Sequence, residues 1–297
     1  MTDVAPTQPA IGAESQPPRT RSRRRTLRSV LTHTVLLVLG FGWLYPILWV
    51  FAGSTRTNAE FLKGRGGLDF GGEIIENYRS AWGSGGFSQY FLNSVIVTGS
   101  TVVLVLLIAS AAGYVLARQD FPGRRGLLVG IGVTFFLPSG YTMIPIYDLI
   151  TALGLLNSHL AVIIVQVGGG LIFSTFLFVG FYRTLPKELE EAARIDGATF
   201  NQVYVRIALP LSRSMLATVG LFSFISSWNN FLLPLIFTLG QPDLRTIPVG
   251  LYAFIGESST NWVALAAGSI ISMLPIMLVF VFAQRYIVSA IAGAVKG

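Results

Sequence analysis

EEAARIDGATFNQVYVRIALP, residues 190–210, interrupts a chain that is otherwise close to charge-free. Eight charged residues fall from Arg183 to Arg206, whereas residues 149–182 and 214–242 on either side contain no Asp, Glu, Lys or Arg. Seating those charges at bilayer depth would cost roughly 3 kcal/mol each. The segment therefore belongs outside an apolar layer that its neighbours occupy. Its own pattern predicts two short helices. Pro186 suits a first helical turn, and Glu188, Glu190 and Glu191 complement the positive end of the helix dipole. Leu189, Ala192 and Ala193 share a face, and Gly197 is a natural terminator. Thr199 can cap a second helix, in which Phe200, Val203, Tyr204 and Ile207 form an apolar stripe. Leu209-Pro210 then stops it. An acid-led helix with a small flat face and a glycine hinge suits entry into a groove on a partner protein. Helices that lie on lipid favour Lys and Arg on the polar face, and a DNA-reading helix-turn-helix has no place between two apolar spans.

Outward from this segment, the 297 residues are 52% hydrophobic and 12% charged, with a mean hydropathy of +0.64. Soluble domains carry about twice that charge fraction. Six uncharged runs of 22 to 38 residues separate the charges, and a membrane helix needs about 20. The predicted fold is an all-α membrane protein with six transmembrane helices. They lie near 30–52, 91–117, 127–149, 159–182, 213–236 and 262–284. Pro138 and Pro145 break the third, which neighbouring helices tolerate. Asn157 or Ser158 can cap the fourth, which glycines 168–170 cross. Residues 1–28 read as a disordered basic cytoplasmic tail and 29–297 as the membrane domain. That domain includes the loop 183–212 and a cytoplasmic tail, 285–297. With the N-terminus inside, 16 of 21 basic residues fall on the cytoplasmic side, as the positive-inside rule requires. Both termini are then cytoplasmic in a multi-pass protein of the cell membrane. The run RTRSRRRTLR (19–28) reads as a juxtamembrane anchor that contacts the lipid bilayer, which accounts for a net charge of +7 without nucleic acid. The apolar run from Ser29 to Thr55 exceeds a signal-peptide core.

The chemistry absent from the sequence is as informative. There is no cysteine, and so no disulfide or thiolate site. No phosphate-binding G-x-x-x-x-G-K-[ST] loop or G-x-S-x-G turn occurs. His33 and His159 have no carboxylate at metal-ligand spacing. Asp148 alone approaches a span, at its outer end. No catalytic residue, metal or cofactor is expected, and a secondary carrier, which usually places carboxylates within its spans, is the weaker alternative, as is a channel. The polar side chains within the spans are candidates for a substrate pathway: Asn93, Gln166, Ser227, Trp228, Asn229 and Asn230, with Ser94, Ser223 and Ser226 nearby. Bridging between helices, and interface anchoring for Trp228, are the competing roles.

The spacing Glu191-Ala192-Ala193, three residues, Gly197, nine residues, Ile207-x-Leu209-Pro210 resembles the EAA loop of permease subunits from bacterial ABC importers, and Asp196-Gly197-Ala198 agrees with it. ENYRSAW, YFLNSVIVTGS, LARQDFPGR, IPIYDLITALGLLNS, SWNNFLLPLIF and the closing GAVKG resemble the carbohydrate-uptake branch, and most closely the smaller six-span permease of maltose-type systems. The resemblance implies an ABC importer type I permease architecture with a cytoplasmic coupling helix between spans 4 and 5. It implies four kinds of partner: a second, different permease, an ATPase dimer that hydrolyses the ATP, an extracytoplasmic sugar-binding protein, and the bilayer. It assigns ATPase coupling to Glu190, Glu191, Ala192, Ala193, Asp196, Gly197, Ala198, Ile207, Leu209 and Pro210, and ATPase contact to Lys296 and Gly297 in the tail. On this topology, a reporter fused after Gly297 and one inserted in the 150–158 loop report opposite membrane faces. Protease protection of both on one side would refute the six-span reading.

Overall fold

The structure is a computed structural model that describes residues 23–63, 67–83, 86–136, 139–252, 254–255 and 260–294. Within them it is helical, with a single β-bridge between Ile255 and Thr260. The helices are α1 (Arg23–Gly53), α2 (Asn58–Leu62), α3 (Ile74–Gly83), α4 (Phe87–Arg118), α5 (Arg124–Thr134), α6 (Ser139–Ala152) and α7 (His159–Thr184). They continue as α8 (Lys187–Ile195), α9 (Phe200–Val203), α10 (Leu209–Leu211), α11 (Arg213–Trp228), α12 (Leu232–Phe237), α13 (Ile247–Tyr252) and α14 (Trp262–Ala294). Two units make up the chain, one ending at Leu48 and the other beginning at Trp49.

In the first unit every side chain from Arg28 to Leu48 is exposed. A helix apolar around its whole circumference is made for lipid or for burial, not water. Its helix begins at Arg23, inside the stretch expected to be disordered, because RRRTLR contains no Gly or Pro to stop it. Residues 1–22 of that expected tail lie outside the described residues.

In the second unit the core sits where α4 packs along α7, with α11 against both. The α4–α7 contact is close because position 113 has no side chain: a Cβ there would lie 2.5 Å from the Cβ of Phe178. The loop after α1 is held by buried Arg56, whose guanidinium donates to the carbonyls of Asp69 (2.6 Å) and Gly67 (2.9 Å). Asn77 donates to the carbonyls of Ser54 and Arg56. Thr57 and Glu60 form a capping box on α2. The hydrogen bond from the Thr57 backbone N–H, then that from its hydroxyl, holds the Glu60 carboxyl below the usual range.

Four helices among the described residues are long and apolar enough to cross a membrane: Arg28–Gly53, Phe87–Arg118, His159–Thr184 and Trp262–Tyr286. Counting the bent pair Phe200–Leu211 and Arg213–Trp228 as one makes five. The expected third span instead appears as α5 and α6, of 11 and 14 residues. Pro145 lies within α6, and Pro138 lies outside the described residues. The expected fifth span is divided at Asn229–Phe231 into α11 and α12. Pro234 explains that division: it lacks an N–H, and its ring would clash with a helical carbonyl four residues earlier, at Asn230. Asn230 Oδ1 instead accepts from the Leu233 N–H (3.1 Å) and starts α12.

Gly99, on the same helix as Gly113, has open space around a would-be Cβ. An alanine in place of a helical glycine ordinarily gains about 1 kcal/mol, whereas overpacking costs about 1–3 kcal/mol. Gly99→Ala should therefore leave or raise the thermal midpoint of the purified chain in detergent, and Gly113→Ala should lower it. Equal midpoints would show that the α4–α7 approach is not tight.

Candidate functional site

Residues 187–211 form a compact element at the ends of α4 and α7. Helix α8 starts after Pro186 and ends in a Schellman motif: Ala198 N donates to Ala193 O (2.9 Å) and Gly197 N to Arg194 O (3.0 Å). Gly197 closes it with φ +85°, a conformation open to glycine and costly for a β-branched residue. Thr199 then caps α9 in a reciprocal capping box with Gln202. Pro210 has no N–H, and the chain meets it with a π-helical turn, Tyr204–Ala208, in which the Leu209 N–H reaches back to Tyr204 O. A 75° bend follows at Ser212 and leads into α11.

The inner face of this element is locked. Val203 is buried, and Phe200, Tyr204 and Ile207 are half-buried. Tyr114, near the end of α4, places its ring 4.9 Å from Phe200, 5.1 Å from Tyr204 and 5.3 Å from Tyr182. The Tyr204 hydroxyl pairs with Ser110 Oγ (2.8 Å). Glu190 is buried: its Oε1 accepts from Arg118 Nε at 2.7 Å and its Oε2 from the Tyr114 hydroxyl at 3.2 Å. The same guanidinium donates to Leu185 O (2.8 Å) and so ties the end of α7 as well. The resemblance assigned Glu190, with Glu191, to ATPase coupling; in the structure its side chain turns inward to the ends of α4 and α7. At about 100° per residue, Glu190 and half-buried Ala193 turn inward, whereas Glu188, Glu191, Ala192 and Ile195 turn outward. Ile195, with 87% of its surface exposed, joins that face unexpectedly. Asp196, Gly197 and Pro210 are exposed, and Ala198, Ile207 and Leu209 half-buried. Arg118 and Tyr114 went unnoticed in the sequence because they lie 72 and 76 residues from Glu190.

A second feature is a cavity of about 400 Å³ between α4, α7 and α11, lined by Thr101, Gln166, Ser226, Ser227 and Asn230 among others. Three of the six pathway candidates, Gln166, Ser227 and Asn230, thus come together, and the other three do not line it. Buried Asn93 donates to the carbonyls of Asp243 (2.6 Å) and Arg245 (2.9 Å), anchoring the loop before α13 to α4. Trp228 is packed between Phe91 and Phe224 and donates to Ser272 O. Exposed Asn229 donates back to Ile225 O. Asn93 and Trp228 are thus engaged by neighbouring elements, whereas Asn229 only caps the end of its own helix. No group of His, Asp or Glu side chains among the described residues is arranged to hold a metal ion, and Lys296 and Gly297 lie outside the described residues.

Comparison with known proteins gives these features a context. A family profile described as binding-protein-dependent transport system inner membrane component matches residues 106–293. A probable ABC transporter permease protein, YurM, of Bacillus subtilis is 37% identical over 254 residues, covering 85% of this chain and 84% of that one. The diacetylchitobiose uptake system permease protein DasC of Streptomyces coelicolor is 34% identical, over 93% of this chain and all of its own length. The maltodextrin transport system permease protein MdxG of Bacillus subtilis is 32% identical over 93% and 99% of the two chains. In the crystal structure of a bacterial ABC transporter involved in the import of the acidic polysaccharide alginate, one chain superposes with a TM-score of 0.75 at 24% identity, covering 92% of this chain. That likeness extends to the fold.

The Arg118–Glu190 pair yields a test of the locked face. Removing one member of a buried pair costs about 3–5 kcal/mol, while replacing both with apolar residues is often neutral. Glu190→Ala should sharply lower the thermal midpoint of the purified chain, Glu191→Ala should leave it nearly unchanged, and Arg118→Met with Glu190→Met should recover most of the loss. Indistinguishable midpoints for the two single variants would remove Glu190 from the core.

Proposed function

Because this chain belongs to the family of binding-protein-dependent transport system inner membrane components, we propose that it is a permease subunit of an ATP-driven importer of oligosaccharides, joined to its ATPase through residues 187–211. The division of α8 into two faces carries this reading. One side is fastened to α4 by the Glu190–Arg118 ion pair and the Tyr114 hydroxyl, and the same Arg118 holds the end of α7. The other presents Glu188, Glu191, Ala192 and Ile195, all exposed among the described residues. An element fixed from within and free without is suited to pass a rigid displacement from a docked partner into the spans. Glu191, the small Ala192 and the Gly197 turn are the contact residues, and Glu190 positions them. ATP hydrolysis belongs to the partner, since this chain carries no phosphate-binding loop.

The sugar class rests on the relatives named for diacetylchitobiose and maltodextrin. Membership of a binding-protein-dependent family supports an ATPase and an extracytoplasmic binding protein as partners. A second, different permease completes the pathway in this proposal. The full topology has six crossings, the third made by α5 with α6 and the fifth by α11 with α12, with both termini cytoplasmic. The loop from 237 to 261, where Tyr252 is exposed, then faces the binding protein.

Two substitutions test the joint. Gly197→Val puts a β-branched residue at φ +85°, where the cost is about 1–3 kcal/mol, and space is not the obstacle because nothing lies within 4 Å of a Cβ there. Glu191→Lys reverses the charge of the free face. Each variant should insert and bind the loaded binding protein, yet lose retention of the ATPase in pull-down and lose binding-protein-stimulated ATP hydrolysis in vesicles. Full retention and full stimulation in both would reduce the segment to an interfacial helix.

A further inference from the structure

Two polar side chains lining the cavity between α4, α7 and α11 are left incomplete by the fold. Gln166 and Thr101 are 8% and 3% exposed, and Gln166 Nε2 and Thr101 Oγ1 are buried with no hydrogen-bond partner. A buried donor or acceptor without a partner destabilises the fold that keeps it, so two of them beside one cavity leave room for something else to satisfy them. The Gln166 amide makes the point regardless of its orientation. Ser227 Oγ contacts the amide oxygen and lies 3.2 Å from Thr98 Oγ1. With Ser227 engaging one end of the amide, the other end stays open whichever way round the group sits. The ligand that meets both cases carries groups that donate and accept at once, which is the chemistry of a hydroxyl.

The rest of the lining narrows the class. Among the described residues, no Asp, Glu, Lys, Arg or His lines the cavity. A carboxylate or ammonium entering it would lose its water without gaining a counter-charge, which is prohibitive in an apolar surround. Ser223, Ser226 and Asn230 add further neutral polar groups, and Phe173 and Phe222 stand edge to face with centroids 6.4 Å apart. Aromatic surface beside neutral hydrogen-bonding groups matches the alternating C–H faces and hydroxyl edges of a sugar ring. The volume of about 400 Å³ lies within the range of small-molecule sites, about 300–1,000 Å³.

We propose that this cavity is a cargo subsite in which Gln166 and Thr101 hydrogen-bond hydroxyls of an uncharged saccharide unit, and which rejects ionised cargo such as uronates. The proposal rests on the permease reading given above and adds that this subunit itself contacts and filters the cargo.

The chain has no cysteine, so Ser226→Cys on the cavity wall carries its one thiol. In vesicles of the assembled importer, a small water-soluble methanethiosulfonate should modify that thiol, read as a mass increase of this chain. At least one of maltose, cellobiose and N,N′-diacetylchitobiose should slow the modification, by about tenfold at ten times its half-protecting concentration. Digalacturonate should not slow it. Adding Gln166→Met, or the near-isosteric Thr101→Val, should weaken the protection at least tenfold in sugar concentration. An unreactive thiol, no protection by any of the three sugars, equal protection by digalacturonate, or protection unchanged in both double variants would each overturn the proposal. Protection requires no ATPase, so its failure is distinct from loss of the ATPase joint, which the pull-down reads separately.

Discussion

The guanidinium of Arg118 is the fastening on which the charged element at residues 187–211 depends. It stands at the end of α4 and donates both to the carbonyl at the end of α7 and, in a nearly dry site, to the carboxylate of Glu190. Charges are admitted to such places only when they are paired and hydrogen-bonded. Glu190 meets that condition twice, through Arg118 and the Tyr114 hydroxyl. The consequence is mechanical. The short helix α8, which at 9 residues would not hold together alone in water, becomes a rigid extension of two long helices.

The rest of the element elaborates on that attachment. The aromatic group around Tyr114 spreads the contact over α4, α7, α9 and the π-helical turn. The Schellman end of α8 and the capping box of α9 satisfy the backbone between them, so the reversal at Gly197 needs no support from elsewhere. Pro210 converts what would have been a continuous helix into a π-helical turn followed by a sharp bend. The bend leads directly into α11, the helix that borders the cavity, which is the route a displacement of α8 would take in the proposed coupling role.

Within the apolar part, polar groups divide into those that are used up and those that are not. Asn93 and Trp228 are used up in holding a loop and a helix in place. Gln166 and Thr101 retain unspent hydrogen-bonding capacity beside a space without charge. The absence of charge is as much a property of the site as the amide and hydroxyls are, because a low-dielectric wall discriminates against ions more strongly than any neutral contact favours them.

What the sequence determined by itself was whatever depends on local pattern. Long uncharged runs gave α1, α4, α7 and α14, because backbone without water must be helical. Pro186, Gly197, Thr199 and Leu209-Pro210 marked the two short helices to within a residue or two, because caps and breakers act over a single turn. The spacing from Glu191 to Pro210 disclosed the family for the same reason. The sequence did not disclose that the expected third and fifth spans are each made of two helices, since a proline in an apolar run can either kink a helix or end it and only the neighbouring packing decides. Nor did it say on which side of α8 Glu190 stands: the 3.6-residue period defines two faces but not which one meets the bundle. Tertiary structure settled that by bringing Arg118 and Tyr114 across more than seventy residues of chain. It likewise brought Gln166, Ser227 and Asn230 to one cavity and left Asn93, Trp228 and Asn229 away from it, because which polar groups share a space depends on how separate helices pack.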